Sequence, residues 1–228
     1  MAAAKFSGEY VAPTLTVDDV IFQISAKQLQ VLLIRRANAP FRNHWALPGA
    51  YCAAGETTVQ TLSRIWRDKA GVAAKQINYF EQLYTFDTVA RDPRGHAVSV
   101  SYLCLANDLA PANDPPAQQP TWFAVDDLPK LAFDHREIIR LARARLASKI
   151  TYTNVIFALL PREFTLSELQ TAHEAVFGRE LDKRNFRKKF LSFNFIAETG
   201  AIRQNGAHRP AKLYEFTSRK LQEIAQSY

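Results

Sequence analysis

The sequence predicts an α+β chain in two parts: a mixed-sheet unit over residues 1–150, then a smaller unit of three helices and a β-hairpin over residues 151–228. Three observations predict it. Runs rich in β-branched residues alternate with two helical patterns in the first part. After about Lys149 the texture turns mostly helical. The chain then closes on two strand-like runs around Asn205-Gly206, a strong hairpin signal.

In order, Thr14 to Ser25 and Gln28 to Arg35 read as two strands around a short turn. Trp45 to Cys52 is broken by Pro48-Gly49. A helix is expected from about Thr58 to Ala70, with Leu62, Ile65 and Trp66 as its apolar stripe and Gly71 as its C-cap. Ile77 to Asp87 and Ala97 to Ala106 read as strands around the loop Arg91-Asp92-Pro93-Arg94-Gly95. Ala110 to Pro120 carries four prolines and reads as a loop; Thr121 to Ala124 is a short strand. Asp134 to Ile150 forms a basic amphipathic helix that ends the first part. In the second part, Tyr152 to Leu160 reads as a helix stopped by Pro161. Thr165 to Phe177 is a second, capped by Thr165 or Ser167 and broken by Gly178. Asp182 to Phe193 is a third, followed by strands Phe195 to Arg203 and Lys212 to Thr217. Three helices and a hairpin are the order of a winged helix-turn-helix.

Composition narrows the class. Apolar residues make up 47% and charged residues 22%, which suits a globular core and excludes a disordered chain. No apolar run is long enough to span a bilayer, so no membrane partner is expected. Met1 to Tyr10 has one lysine and no apolar centre, unlike a secretory signal. Cys52 and Cys104 lack metal-ligand spacing and read as buried free thiols of a cytoplasmic protein. Net charge is +7, and residues 151–228 hold 12 Lys+Arg against 8 Asp+Glu. Lys183, Arg184, Arg187, Lys188 and Lys189 fall within seven residues. Such a cluster favours an anionic partner, although on charge alone a solvated helix face is the better reading.

The third helix of the second part decides between them. Phe186, Phe190 and Phe193 are spaced i, i+4, i+7 and share one face. Arg184 and Lys188 lie nearly opposite, with Arg187 on the flank and Lys183 at the start. A helix that buries aromatics on one side and shows guanidinium and ammonium groups on the other suits a DNA major groove. The hairpin adds Arg203, His208, Arg209 and Lys212 as candidate backbone or minor-groove contacts. The expected partner is double-stranded DNA.

From Gly49 to Val72 the chain resembles the Nudix box, G-x5-E-x7-R-E-U-x-E-E-x-G-U, where U is a bulky aliphatic. Leu47-Pro48-Gly49, Gly55-Glu56, Arg64 and Gly71-Val72 carry the resemblance. The box, over residues 50–72, is degenerate. Ala50 stands at the first glycine, Ile65 at the glutamate after Arg64, and Asp68-Lys69 at the paired glutamates. In that family the glutamates hold divalent ions against a pyrophosphate, and Mg²⁺ needs several hard oxygen ligands. Ile65 offers none. Lys69 puts a cation in place of an anion, where two unit charges about 4 Å apart interact by roughly 4 kcal/mol at an effective dielectric near 20. The expectation is no catalytic residue, no metal and no cofactor.

Over roughly Leu15 to Phe216 the whole chain resembles the NrtR family of Nudix-related transcriptional regulators. Leu32 to Arg36, Phe41 to Pro48, Arg91 to Gly95, Leu131 to His135, Phe164 to Leu169 and Arg209 to Tyr214 carry this. The fold class expected is therefore a Nudix-like mixed-sheet α/β/α sandwich followed by a winged helix-turn-helix. The resemblance implies a homodimeric repressor of NAD metabolism genes that binds a palindromic operator and is released by ADP-ribose or a related nucleotide. Arg36 and Arg94 are the candidate diphosphate ligands, by forked charge-assisted bonds. Phe41, Trp45 and Tyr51 are candidate base-stacking walls, and His135 a polar pocket residue. The competing readings are core packing for Trp45 and Tyr51, a surface ion pair for Arg36, and a helix start at Asp134. Two other functions fit the same residues: an active Nudix pyrophosphohydrolase with a C-terminal interaction domain, and a sister regulator responding to a sugar phosphate.

Overall fold

The computed structural model describes residues 12–109, 119–204 and 210–224. Strands β1 (Thr14–Ser25), β2 (Gln28–Arg35), β3 (Trp45–Ala46), β4 (Gly49–Tyr51), β5 (Ile77–Phe86), β6 (Ala97–Ala106) and β7 (Thr121–Ala124) form one mixed sheet. Its main order is β3-β2-β1-β6-β5, with β4 on β1 and β7 on β2. β1 runs parallel to β6, and the other pairs are antiparallel. β1 is buried continuously from Val17 to Gln23, as a central strand covered on both faces must be.

Helix α1 (Thr58–Ile65) covers one face, and α2 (His135–Lys149) covers the other. Alternation along β1 shows the two faces: Val17 and Ile21 pack with Leu62, Ile65 and Trp66, while Val20 and Phe22 pack with Ile138, Ala142 and Leu146. α1 begins with a capping box between Thr57 and Gln60. It ends as an α-helix at Ile65 and continues through Trp66–Ala70 as a π-helical turn closed by Gly71 at φ 67°. The sequence pattern gave a single helix to Ala70.

The second part contains β8 (Glu163–Phe164), α3 (Leu166–Phe177), α4 (Lys183–Leu191), β9 (Ile196–Arg203) and β10 (Ala211–Phe216). β8, β10 and β9 form a three-stranded antiparallel sheet. Thr165, not Ser167, caps α3, in a reciprocal box with Glu168. Gly178 closes α3 at φ 68°, and a Cβ there would meet the Arg143 guanidinium at 2.5 Å. The helix expected over Tyr152–Leu160 is instead a short 3-10 turn, Val155–Leu159. Those five residues and Leu160 are all buried. A segment buried on every side has no exposed face for amphipathic periodicity to mark, so the apolar run misled as to length. Gln204 and Pro210 flank the expected Asn-Gly turn; residues 205–209, including His208 and Arg209, lie outside the described residues.

One hydrophobic core runs through both parts. It joins Phe22, Leu33 and Leu105 of the large sheet to Ile156, Leu160, Phe164, Leu169 and Phe216. Polar ties reinforce it. Asn78 on β5 donates to the Ala158 carbonyl at 2.9 Å. On α2, Arg143 donates to the Val176 carbonyl at 3.1 Å, and Lys149 pairs with Glu81 at 2.8 Å. No helix among the described residues is long and apolar enough to cross a membrane.

Candidate functional site

A cavity of about 540 Å³ opens beside β4, bounded by the ends of β1 and β2, the π turn after α1, the β5–β6 loop and the start of α2. Its volume is typical of a site for a small ligand. Four of the six residues expected to bind ligand line it: Arg36, Tyr51, Arg94 and His135. Two do not. Trp45 packs edge-to-face on Phe123 at 4.8 Å and belongs to the core. Phe41, 37% exposed, sits outside the lining and meets Phe133 edge-on at 4.9 Å.

Phe133 is the aromatic centre of the cavity. Arg36 lies over its ring at 4.6 Å and Arg94 at 5.7 Å, while Arg94 also reaches Tyr51 at 5.5 Å. His135 accepts a 2.8 Å bond from the Leu47 amide on Nδ1, which leaves Nε2 as the protonated nitrogen. Nε2 faces Asp18 at 3.7 Å. Burial pushes the His135 pKa down, so the ring is neutral. Asp18 also accepts from Ser99 at 2.6 Å and pairs at 3.3 Å with Arg91, whose side chain is 5% exposed. Arg91 grips Asp134, the N-cap of α2, with two bonds of 2.8 and 2.7 Å. Gly49 is held by proximity: a Cβ there would run into Asp18 Oδ1.

The charges leave a clear imbalance. Arg64 is forked onto Glu56 at 2.9 and 2.7 Å, and this pairing with help from Thr61 holds the Glu56 carboxyl down at about 2. Arg94 is paired with Asp92 at 2.6 Å. Arg36 and Lys69 have no carboxylate partner among the described residues: Arg36 donates to the Pro40 carbonyl at 2.9 Å and Lys69 to the Gly49 carbonyl. Burial lowers both their pKa values, and their mutual repulsion acts on Lys69 in the same direction. Two half-buried cations without counter-ions suit an anionic ligand.

The residues at the Nudix-box carboxylate positions do not fit a divalent-metal cluster. Glu56 is consumed by Arg64, Thr61 and the Ala53 amide. Ile65 is buried under the sheet. Asp68 turns outward onto Arg67 at 2.6 Å. Among the described residues no group of three or more His, Cys, Asp or Glu is placed to hold a metal ion.

The second site is α4. Asp182 caps it by accepting from the Asn185 amide at 2.8 Å. Its aromatic face packs as the spacing required: Phe186 and Phe190 stack at 5.8 Å and enclose His173 of α3 at 4.9 and 5.3 Å. Lys183, Arg184, Lys188 and Lys189 are exposed and make no ion pair among the described residues. Three further expected DNA contacts, Arg187, Arg203 and Lys212, are engaged elsewhere. Arg187 is half-buried and donates to Ser167 at 3.0 Å. Arg203 pairs with Glu168 at 2.7 Å, and Lys212 with Glu198 at 2.9 Å.

Two family models match the chain: a NUDIX domain over residues 14–142 and an NrtR DNA-binding winged helix domain over residues 156–216. A relative from Acinetobacter baylyi, described as the ADPR responsive transcriptional repressor NtrR, is 35% identical over 91% of this chain and 84% of its own. The chain belongs to the NrtR family. The crystal structure of Shewanella oneidensis NrtR complexed with a 27mer DNA matches it with a TM-score of 0.75. Identity is 34%, over 89% of this chain and 93% of that one. The Nudix domain of that NrtR, complexed with ADP ribose, matches at 35% identity and a TM-score of 0.55, over 64% of this chain and 99% of that one. An ADP-ribose pyrophosphatase of Methanocaldococcus jannaschii is 34% identical over 58% of this chain and 73% of its own length.

Within this NrtR-family chain, sequence reasoning missed Phe133 and Arg91, and took Lys69 only as a lost metal ligand, not as a cation lining the cavity. Arg91 and Phe133 lay inside the stretches that carried the family resemblance, which was the available signal. Their roles follow from partners far along the chain: Arg91 meets Asp18 and Asp134, 73 and 43 residues away.

Proposed function

We propose that the protein is a DNA-binding transcriptional repressor released by ADP-ribose or a related nucleotide. Residues 1–150 act as the sensor and residues 151–228 as the DNA reader. The observation that carries this is the exposed row Lys183, Arg184 and Lys188 on α4, without an ion pair among the described residues, on the helix whose opposite face is locked into the core by Phe186 and Phe190. The Arg36 and Lys69 cations in the cavity supply the complement for a diphosphate. The working form is a cytoplasmic homodimer on a palindromic operator, with one α4 per half-site in successive major grooves about 34–36 Å apart. Its targets are genes of NAD metabolism. The Nudix unit binds without hydrolysing, since Ile65 and Lys69 replace two of the box carboxylates and Asp68 faces away.

Gel shifts with duplexes from the gene's own neighbourhood, with and without ADP-ribose, test the reading. Binding at low salt and release by ADP-ribose are expected. Failure to bind any such duplex, with brisk magnesium-dependent cleavage of ADP-ribose, would replace it with the hydrolase reading that the Methanocaldococcus relative makes the main rival. A melting-temperature rise with sugar phosphates but not with ADP-ribose would change the effector and keep the repressor.

A further inference from the structure

The π turn that extends α1 changes which side chain the helix presents to the cavity. In an unbroken α-helix the residue four beyond Arg64, Asp68, would share its face. With i→i+5 bonding the wider turn swings the residue five beyond toward that face. Arg64 and Lys69 both line the cavity, and Asp68 is exposed and paired with Arg67. Lys69 is half-buried, donates to the Gly49 carbonyl, and has no carboxylate partner among the described residues. A half-buried ammonium held this way costs desolvation free energy unless an anion arrives.

We propose that Lys69 takes the place of a divalent cation, so that a nucleoside diphosphate ligand is neutralised by Lys69 and Arg36 and binds without metal. The inference rests on the effector reading above. A pyrophosphate diester carries one negative charge on each phosphate, and the cavity offers one cation without a carboxylate partner among the described residues for each: Arg36 from the end of β2 and Lys69 from the π turn. The planar Arg36 fork suits two oxygens of one phosphate, and the Lys69 point charge suits the other. A carboxylate at position 69 would leave one phosphate unmatched and would need a metal ion to bridge it.

The test is calorimetric titration of the full-length protein with ADP-ribose, once in excess EDTA and once in millimolar magnesium. Wild type should bind with the same affinity within about threefold in both. Lys69→Met should weaken binding tenfold or more in both, and Arg67→Met, which alters an exposed charge beside it, should not. Loss of wild-type binding in EDTA, or unchanged affinity in Lys69→Met, would overturn the inference and leave the effector reading intact. The EDTA comparison needs no variant, so a folding failure in Lys69→Met does not remove the test. Absence of ADP-ribose binding in both buffers would remove the effector reading and this inference together.

Discussion

Arg203 on β9 reaches Glu168 in the first turn of α3, Nη1 to Oε1 at 2.7 Å, and also donates to the Glu163 carbonyl at 3.1 Å. The hairpin is thereby tied to the capping box of α3, and this arginine is held in place by protein groups before any phosphate approaches. The pair is partly exposed, so screening keeps its contribution to about 0.2–1 kcal/mol. Arg203→Met should lower stability by that order in urea denaturation and leave the salt dependence of DNA affinity unchanged. A slope reduced by one unit would show instead that Arg203 leaves Glu168 for a phosphate.

The α4 cations should behave in the opposite way. Lys188→Ala, if it meets a phosphate, should reduce the slope of log affinity against log salt by about one unit and weaken all duplexes alike. Arg184→Ala should cost about 1–3 kcal/mol and relax base preference at one position of each half-site. Neither side chain contributes to the core, so the urea midpoint should hold. Unchanged affinity in both variants would move the DNA surface off α4.

Gly49 and Asp18 form a close packing pair. Asp18 cannot retreat cheaply, because Ser99 holds it at 2.6 Å and Arg91 at 3.3 Å. Gly49→Ala should destabilise by about 1–3 kcal/mol, as overpacking does, and impair ligand binding through β4. Adding Asp18→Ala should restore part of the loss, giving a double-mutant cycle with clear non-additivity. Strict additivity would mean that the Val17 carbonyl, 3.1 Å from the same Cβ, is the obstacle instead.

His173 gives the DNA-reading unit an acid limit. Burial among Phe186 and Phe190 lowers its pKa to about 4, against an ordinary 6.5. The folded value is depressed, so the unfolded chain takes up the proton first. Stability is full above about pH 6.5 and falls as pH drops toward 4. His173→Leu should flatten that part of the profile of melting temperature against pH. An unchanged acid slope would assign it to other groups.

Asp19 acts in the other sense on the opposite face of the sheet. Burial raises its carboxyl to about 7 from 3.8. Trp66 Nε1 donates to Oδ2 at 2.8 Å, while Oδ1 has no partner among the described residues. A raised folded value favours the neutral form in the fold. Stability from this group is full below about pH 4 and declines as pH rises toward 7, by a few kcal/mol in order of magnitude. Asp19→Asn keeps an acceptor for Trp66 and should abolish the decline; its persistence would count against this assignment.

Particular residues show what the sequence could reveal. β1 and β2 were legible to the residue because their β-branched runs end at a turn, and Gly71 and Gly178 marked two helix ends. The aromatic face of α4 followed from spacing alone. Trp45 and Tyr51 could not be told apart, since two- and three-residue strands carry too little alternation to say which aromatic faces the core. Arg203 and Lys212 looked like free cations because their carboxylate partners lie 35 and 14 positions away. Lys69 was visible as a lost carboxylate, but its bond to the Gly49 carbonyl and the π turn around it leave no mark in hydrophobic periodicity.

The buried run 155–160 has a practical consequence for anyone building chimaeras. A cut after residue 150 would strip the sensor of apolar surface that this run covers and leave the reader with a sticky segment in water. A transplantable sensor would have to carry this stretch with it, and a transplanted reader would need a substitute roof for the groove it vacates.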